Sequence, residues 1–289
     1  HVAIKFMSRA LLAQQASEKV RENIELRFIR EAKSAAAINH PNLAQIYEAN
    51  FETDNWFIAM ELINGTELCD MLDEGKSFNS MEIIAIIEQV VSGLKHAWED
   101  YKIIHRDIKP ANIMLTHNQQ VKIVDLGLAK PVQEIDEELP DLTGAGVPIG
   151  TPQYMAPEQA TGESDVDFRA DIFALGATIY ELACGKKAFS GKTAPLIYMA
   201  QMSKKYERLQ DLRPDLSPQL INLIDKMLEP KRDDRIASYD DILDALKACS
   251  GQVTGNTVVP IMERQADEHA HTRIATILGF TMVQSEYLD

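Results

Sequence analysis

The sequence is poor in the features that mark a secreted, membrane-spanning or nucleic-acid-coating chain. Its 289 residues contain three cysteines, Cys69, Cys184 and Cys249, at spacings that fit neither a disulfide framework nor a cysteine-rich zinc site. No apolar run approaches the ~20 residues of a membrane span, and no signal-peptide pattern is visible. A basic face is missing as well. Lys+Arg 29 against Asp+Glu 44 gives a net charge of −15, which argues against nonspecific binding to nucleic acid. These absences favour a reducing, cytoplasmic setting, with any membrane anchor lying outside this segment. Hydrophobic residues make up 45% of the chain, enough to bury the core of one two-lobed unit or two small domains.

What is present is concentrated in ten residues. His105-Arg106-Asp107-Ile108-Lys109-Pro110-Ala111-Asn112-Ile113-Met114 sets a carboxylate, a lysine and an amide at offsets 0, +2 and +5. A short apolar strand predicted over 121–124 follows and ends in Asp125-Leu126-Gly127. Such a set can accept a hydroxyl proton, steady a moving phosphate and hold Mg²⁺. Each piece alone has an ordinary reading, Asp125 as a strand-end turn residue and Asn112 as a cap or turn former. Joined in this order, with strands on both sides of a turn at Asn118-Gln119-Gln120, they point to phosphoryl transfer. The order H-R-D-x-K-x-x-N followed by D-x-G resembles the catalytic and metal loops of the protein kinases.

The resemblance extends along nearly all of residues 1–250. Val2-Ala3-Ile4-Lys5 is similar to the strand whose lysine pairs the α- and β-phosphates of ATP. Phe28, Ala32 and Ala35 recur at i, i+4 and i+7, a helical stripe facing a core. Glu31 lies on that apolar face, and burying it unpaired would cost several kcal/mol, so a Lys5–Glu31 ion pair is expected. By resemblance, Glu61 and Ile63 hydrogen-bond adenine through their backbone and Met60 guards the back of the pocket. Glu67 contacts the ribose, and Ala3 and Met114 sandwich the adenine ring. Asp107 then accepts the proton, Lys109 meets the γ-phosphate, and Asn112 and Asp125 bind Mg²⁺. Gly150-Thr151-Pro-Gln-Tyr154-Met-Ala156-Pro157-Glu158 matches the substrate-receiving segment, Asp171 the brace of the catalytic loop, and Arg235 the buried partner of Glu158.

The implied fold is α+β and bilobal. Residues 1–63 are read as a partial, β-rich small lobe, 64–250 as a mainly helical large lobe, and 251–289 as a linker and tail of unknown role. Strands are expected near 1–6, 43–51 and 55–61. Helices are expected at about 169–184, 217–228 and 239–249, with a further long helix opening at an Asn79…Glu82 capping box. Lys109 and Thr151 resemble the Ser/Thr branch, and Arg27-Phe-Ile-Arg-Glu31-Ala together with Met155-Ala-Pro-Glu158-Gln159 looks bacterial. Leu126 departs from the commoner phenylalanine, leaving a smaller apolar plug.

Other expectations concern regulation and the two ends. Glu134, Asp136, Glu137, Glu138 and Asp141 form either a solvated loop or a surface that steers basic substrates. Arg106 offers a cation to a phosphorylated loop residue, for which Thr143 is preferred. The chain begins one residue before Val2, so the two strands that precede it in the family, with their G-x-G-x-x-G loop, are not found. The expectation is a fragment of a longer product whose small-lobe sheet has an exposed edge. In the tail, 261–272 reads as a polar helix and 274–283 as an apolar stretch. Asp267, Glu268, His269 and His271 are read as a solvated face, with no further Cys or His nearby to complete a metal site.

The functional expectation is therefore ATP- and Mg²⁺-dependent phosphorylation of Ser or Thr on protein substrates. It includes autophosphorylation in the activation loop, for which a kinase dimer is the expected partner. The alternative is a pseudokinase acting as a binding or scaffolding module. A small-molecule kinase is a distant third.

Overall fold

The computed structural model describes residues 1–8, 29, 32, 35–51, 55–126, 151–250, 274–277 and 280–285. Strands β1 (Val2–Ser8), β2 (Ile46–Asn50) and β3 (Asn55–Glu61) form the first sheet with β7 (Ile274–Ile277) and β8 (Phe280–Ser285), in the order β2-β3-β1-β8-β7. β1 runs antiparallel to β3 with Val2 opposite Glu61 and Lys5 opposite Ile58. Ala3, Ile46, Trp56, Ile58 and Met60 bury one face of this sheet against Ala32 and Ala35. The helical spacing of Ala32 and Ala35 thus covers the sheet as the sequence predicts. Phe28 and Glu31 lie outside the described residues.

Two features of this sheet differ from expectation. The second strand starts at Ile46 rather than 43, because Leu43 and Ala44 are engaged elsewhere. Leu43 bridges Ile123 in parallel, the Ala44 amide donates to Ile123 O at 2.8 Å, and the Ile123 amide donates to Asn42 O at 2.8 Å. Nor is the outer edge of β1 bare. β8 pairs along it from Val2↔Ser285 to Met7↔Phe280, satisfying backbone groups that an open edge would leave to solvent.

The second sheet, β4 (Gly65–Glu67), β5 (Ile113–Thr116) and β6 (Val121–Ile123), lies at the lip of the helical body. Its register sets Glu67 directly opposite Met114, and Ile113 opposite Ile123.

The helical body comprises α1 (Leu68–Asp73), α2 (Ser80–Tyr101), α3 (Pro157–Ala160), α4 (Arg169–Cys184), α5 (Ala194–Met202), α6 (Leu209–Leu212), α7 (Pro218–Met227) and α8 (Tyr239–Ser250). α2 begins as its sequence predicts. Asn79 Oδ1 accepts from the amides of Met81 (2.9 Å) and Glu82 (3.0 Å), and Glu82 Oε2 accepts from the Asn79 amide at 2.8 Å. A cap of this kind stabilises a helix by about 1 kcal/mol. Ile83, Ile86, Ile87, Val90, Val91 and Leu94 are almost fully buried along it, each worth roughly 1.5–3 kcal/mol of transfer free energy. At Gly93 an added Cβ would lie 3.2 Å from Leu43 and 3.3 Å from Ile123. The missing side chain lets α2 approach the loop and strand that lead to Asp125. α4 is apolar around its circumference and buried from Ala170 to Tyr180, as a helix at the centre of a lobe must be. Gly185 closes it with φ 71°, a left-handed conformation glycine adopts without strain. Ser217 caps α7 at the Leu220 amide (3.2 Å), and Ser238 caps α8 at the Asp241 amide (3.1 Å).

Candidate active site

The loop between α2 and β5 carries the ten-residue motif, and α4 holds it from below. Asp171 accepts from the His105 amide at 2.8 Å and from the Arg106 amide at 2.7 Å. The His105 ring is fully buried and touches Val124 O through Nε2 at 2.9 Å and the Asp107 amide through Nδ1 at 3.3 Å. A ring proton on Nε2 satisfies both contacts. Arg106 is held at φ 67° and Asp125 at φ 60°. Two non-glycine residues in the left-handed region within one loop pair represent strain that the surrounding bonds must hold, a pattern concentrated at functional sites. Burial pushes the Asp171 carboxyl above its ordinary value, against the opposing pull of the His105 ring and the two amides.

Asp107 is fixed through one oxygen. Its Oδ2 accepts from Lys109 Nζ at 2.6 Å and from Asn112 Nδ2 at 2.9 Å, while Asn112 Nδ2 also reaches Asp107 O at 2.7 Å. Among the described residues, none donates to Oδ1, so that oxygen is available to a hydroxyl. Asn112 ends a turn of 3₁₀ helix, Pro110–Asn112, in which proline suits the first position because it has no amide hydrogen to leave unpaired. The Val124 amide donates to Asn112 O at 3.0 Å, which brings the residue before Asp125 beside the catalytic loop.

Asp125 meets Lys5 across the two sheets, Nζ to Oδ1 at 2.8 Å. Burial alone would raise this carboxyl. The charge and hydrogen bond of Lys5, with smaller contributions from His105 and Lys109, hold it below its ordinary value. The structure therefore brings Lys5, Asp107, Lys109, Asn112 and Asp125 to one cleft. The expected Lys5–Glu31 pair falls outside the described residues, as do Gly127, the acidic run and Thr143.

The residues expected around adenine are divided between the two sheets, with Ala3 opposite Met60 in the first. Ala3, Met60 and Ile63 are buried, and Met114 is half-buried opposite Glu67. The Ile63 amide donates to no described group, whereas the Glu61 amide donates to Gln45 O at 2.7 Å. Sequence reasoning missed the side-chain role of Glu61. Its carboxylate pairs with Lys122 at 2.7 Å and accepts from the Gln45 amide at 3.2 Å, joining β3 to β6 across the cleft. Gln159 was missed too. It donates to Arg106 O at 3.2 Å and accepts from the Ala156 amide at 3.1 Å, stitching the segment after Thr151 to the catalytic loop. Its place directly after Glu158 in the quoted motif was the available signal.

A cleft of about 260 Å³ opens on the far side of Lys109, lined by Leu72, Asp73, Lys109, Thr151, Tyr154 and Glu181 among others. Thr151 Oγ1 stands 3.5 Å from Lys109 Nζ. Beneath it Arg235 grips Glu158 through both nitrogens, at 2.5 and 2.7 Å, with both side chains buried.

The protein-family profile described as "Protein kinase domain" matches residues 1–246. The chain belongs to that family. It is 35% identical over 254 residues to the Ser/Thr-protein kinase pkn3 of Myxococcus xanthus, covering 86% of this chain and 45% of that protein. It is 33% identical over 256 residues to the Ser/Thr-protein kinase PknB of Mycolicibacterium smegmatis, covering 87% of this chain and 39% of that protein. The kinase domain thus spans less than half the length of these curated relatives. The crystal structure of the PknI kinase domain of Mycobacterium tuberculosis superposes with a TM-score of 0.65 at 27% identity, over 86% of this chain and 85% of that one. Fold class and bacterial Ser/Thr-kinase resemblance agree with the reading of the motifs. Among the described residues of the kinase domain, no helix is long and apolar enough to cross a membrane.

Proposed function

We propose that the chain is an ATP- and Mg²⁺-dependent protein kinase domain that phosphorylates Ser or Thr hydroxyls of protein substrates. The observation that carries this reading is the disposition of Asp107: one carboxylate oxygen is fixed by Lys109 and Asn112, and no described residue donates to the other. The acceptor hydroxyl hydrogen-bonds Oδ1. As its oxygen forms a bond to the γ-phosphorus, the bond from phosphorus to the bridging oxygen of ADP breaks and the proton passes to Asp107. Lys109 balances charge on the moving phosphoryl group. Lys5 holds the α- and β-phosphates, the Ile63 amide and the Glu61 carbonyl receive adenine, and Glu67 lies at the ribose.

The donor set fits Mg²⁺, a hard cation bound by one or two carboxylates plus substrate phosphates. Asp125 offers a carboxylate held ionised. Asn112 has its amide nitrogen occupied by Asp107, which leaves its carbonyl oxygen for a cation. Held by Asp125 and Asn112, the ion would supply positive charge that offsets the negative charge developing on the transferred phosphoryl group. The same reading includes autophosphorylation of one copy by another on Thr143, with Arg106 receiving the phosphate.

Transfer of ³²P from [γ-³²P]ATP to a generic basic protein, by the chain and by Asp107→Asn, tests this. Label on Ser and Thr that is lost by ~10²-fold or more in the variant is expected. No label from folded chain that binds nucleotide would move the assignment to a pseudokinase scaffold.

A further inference from the structure

The outer edge of β6 is held by side chains that the catalytic reading does not use. Bonds between β5 and β6 come from alternate residues: Gln120 O accepts from the Thr116 amide, and the Val124 amide donates to Asn112 O. Val121 and Ile123 therefore turn their backbone groups the other way, toward the loop at Asn42. There the Ile123 amide donates to Asn42 O and Ile123 O accepts from the Ala44 amide, both at 2.8 Å. Val121 is met by side chains instead. Its carbonyl accepts from Asn42 Nδ2 at 2.9 Å, and its amide donates to Gln89 Oε1 at 2.9 Å.

Gln89 lies on α2 and uses its whole amide. Oε1 also accepts from Asn42 Nδ2 at 3.1 Å, so loop and strand share one acceptor. Nε2 donates to Gln119 O at 3.1 Å and to Ala85 O at 3.2 Å. Two bonds accepted and two donated exhaust what a primary amide can make. Gln119 is the left-handed residue of the β5–β6 turn, with φ 61°, a conformation that needs support from its surroundings in any residue but glycine. Gly93, one helical turn further along the same face, lets α2 come near enough: an added Cβ there would stand 3.4 Å from Asn42 Cβ.

This edge lies between the two halves of the cleft. β6 runs on through Val124 to Asp125. The loop runs on to Gln45, whose carbonyl accepts from the Glu61 amide at 2.7 Å and whose amide donates to Glu61 Oε2 at 3.2 Å. Through Glu61 it joins the sheet that carries Lys5.

We propose that Gln89 is a positioning residue for the metal that accompanies the nucleotide. From α2 it sets the register of β6 against residues 42–45, and so the place of the Asp125 carboxylate relative to Lys5 and Asn112. This rests on the metal reading of Asp125.

Three variants of the full chain test it. Gln89→Leu removes both faces of the amide. Gln89→Glu keeps the acceptor toward Val121 and Asn42, and its second oxygen falls on the exposed side, where Nε2 now lies. Ile87→Val trims a fully buried side chain of the same helix, which lowers stability without altering these bonds.

Deuterium exchange in the nucleotide-free chain reads position. The peptide containing residues 121–124 is expected to exchange at least tenfold faster in Gln89→Leu than in the parent. Unchanged exchange there would overturn the hold of Gln89 on β6. Mn²⁺, which takes oxygen ligands as Mg²⁺ does, reads function through the enhancement of water proton relaxation when Mn²⁺–ATP binds the chain. Gln89→Leu is expected to weaken that binding at least fivefold, with Gln89→Glu and Ile87→Val both within about twofold of the parent. Parent-like binding by Gln89→Leu would overturn the proposal, because the edge would then not reach Asp125. So would an equal loss in Ile87→Val, because lowered stability alone would then suffice. If the unaltered chain binds no Mn²⁺–ATP, the metal reading falls and the proposal falls with it; a loss confined to Gln89→Leu leaves that reading standing.

Discussion

Lys5 Nζ and Asp125 Oδ1 lie 2.8 Å apart although 120 residues separate them in the chain, and that contact sets the charge state of the cleft. Burial opposes ionisation of Asp125, and Lys5 reverses the balance so that its carboxyl titrates below its ordinary value of 3.8. A depressed carboxyl contributes stability above the unfolded value and loses it as pH falls through the folded one. In Lys5→Met, burial acts with less opposition, and the cost of the charge appears as pH rises above the ordinary carboxylate range. The variant should be less stable than the parent by about 1–3 kcal/mol at pH 7, the gap narrowing toward pH 4. Urea unfolding at several pH values measures this, and a gap independent of pH would exclude the electrostatic account.

Asp171 places the catalytic loop without touching the reacting atoms. It holds two amides, and asparagine in its place can accept from them only through one oxygen. Arg106, kept at φ 67°, would relax toward commoner backbone angles and carry Asp107 with it. Small displacements of this kind cost roughly 10²-fold in rate. Asp171→Asn should lower kcat by about that factor while leaving the KM for ATP near the parent value, because Lys5 and Asp125 are on other elements. An unchanged kcat would show that the loop needs no brace.

Much of this site was legible in the sequence, and the reason is its locality. Asp107, Lys109 and Asn112 fall within six residues, and their mutual bonds follow from one turn of chain. The Asn79–Glu82 cap and the glycine after α4 are local in the same sense. What was not legible joins distant segments. Glu61 reaches Lys122 across the cleft, and Leu43 leaves its expected strand to bridge Ile123. Neither has a periodic signal, because each depends on how two separately formed layers meet. The pairing of β8 with β1 is the extreme case. The apolar stretch at 274–283 announces a need for burial but does not name the surface that supplies it.

Glu158 and Arg235 form a buried, bidentate pair, and Arg235 also donates to the carbonyls of Arg169 (3.0 Å), Glu229 (2.7 Å) and Pro230 (2.8 Å). Removing the arginine strands a buried carboxylate and three carbonyls. Removing the charge of the glutamate strands only the guanidinium. Arg235→Ala should therefore destabilise by about 3–5 kcal/mol and Glu158→Gln by less. The double variant should cost less than the sum, since the partners share one interaction. Additive losses in urea unfolding would contradict a direct pair.

Cys69 lies in the first turn of α1, its thiol 3.2 Å from Oε2 of Glu67 at the end of β4. Burial and the neighbouring Glu67 carboxylate push this thiol up to about 12. The thiolate is the reactive form, so partial exposure does not make Cys69 reactive. Alkylation by iodoacetamide at pH 8 should be far slower than for a free thiol, and its rate should keep rising beyond pH 10 without a plateau. Glu67→Gln removes a negative charge beside the sulfur and should speed the reaction several-fold at pH 8. If the Gln variant reacts no faster, burial alone controls the thiol, and the Glu67 carboxylate is not oriented toward it in solution.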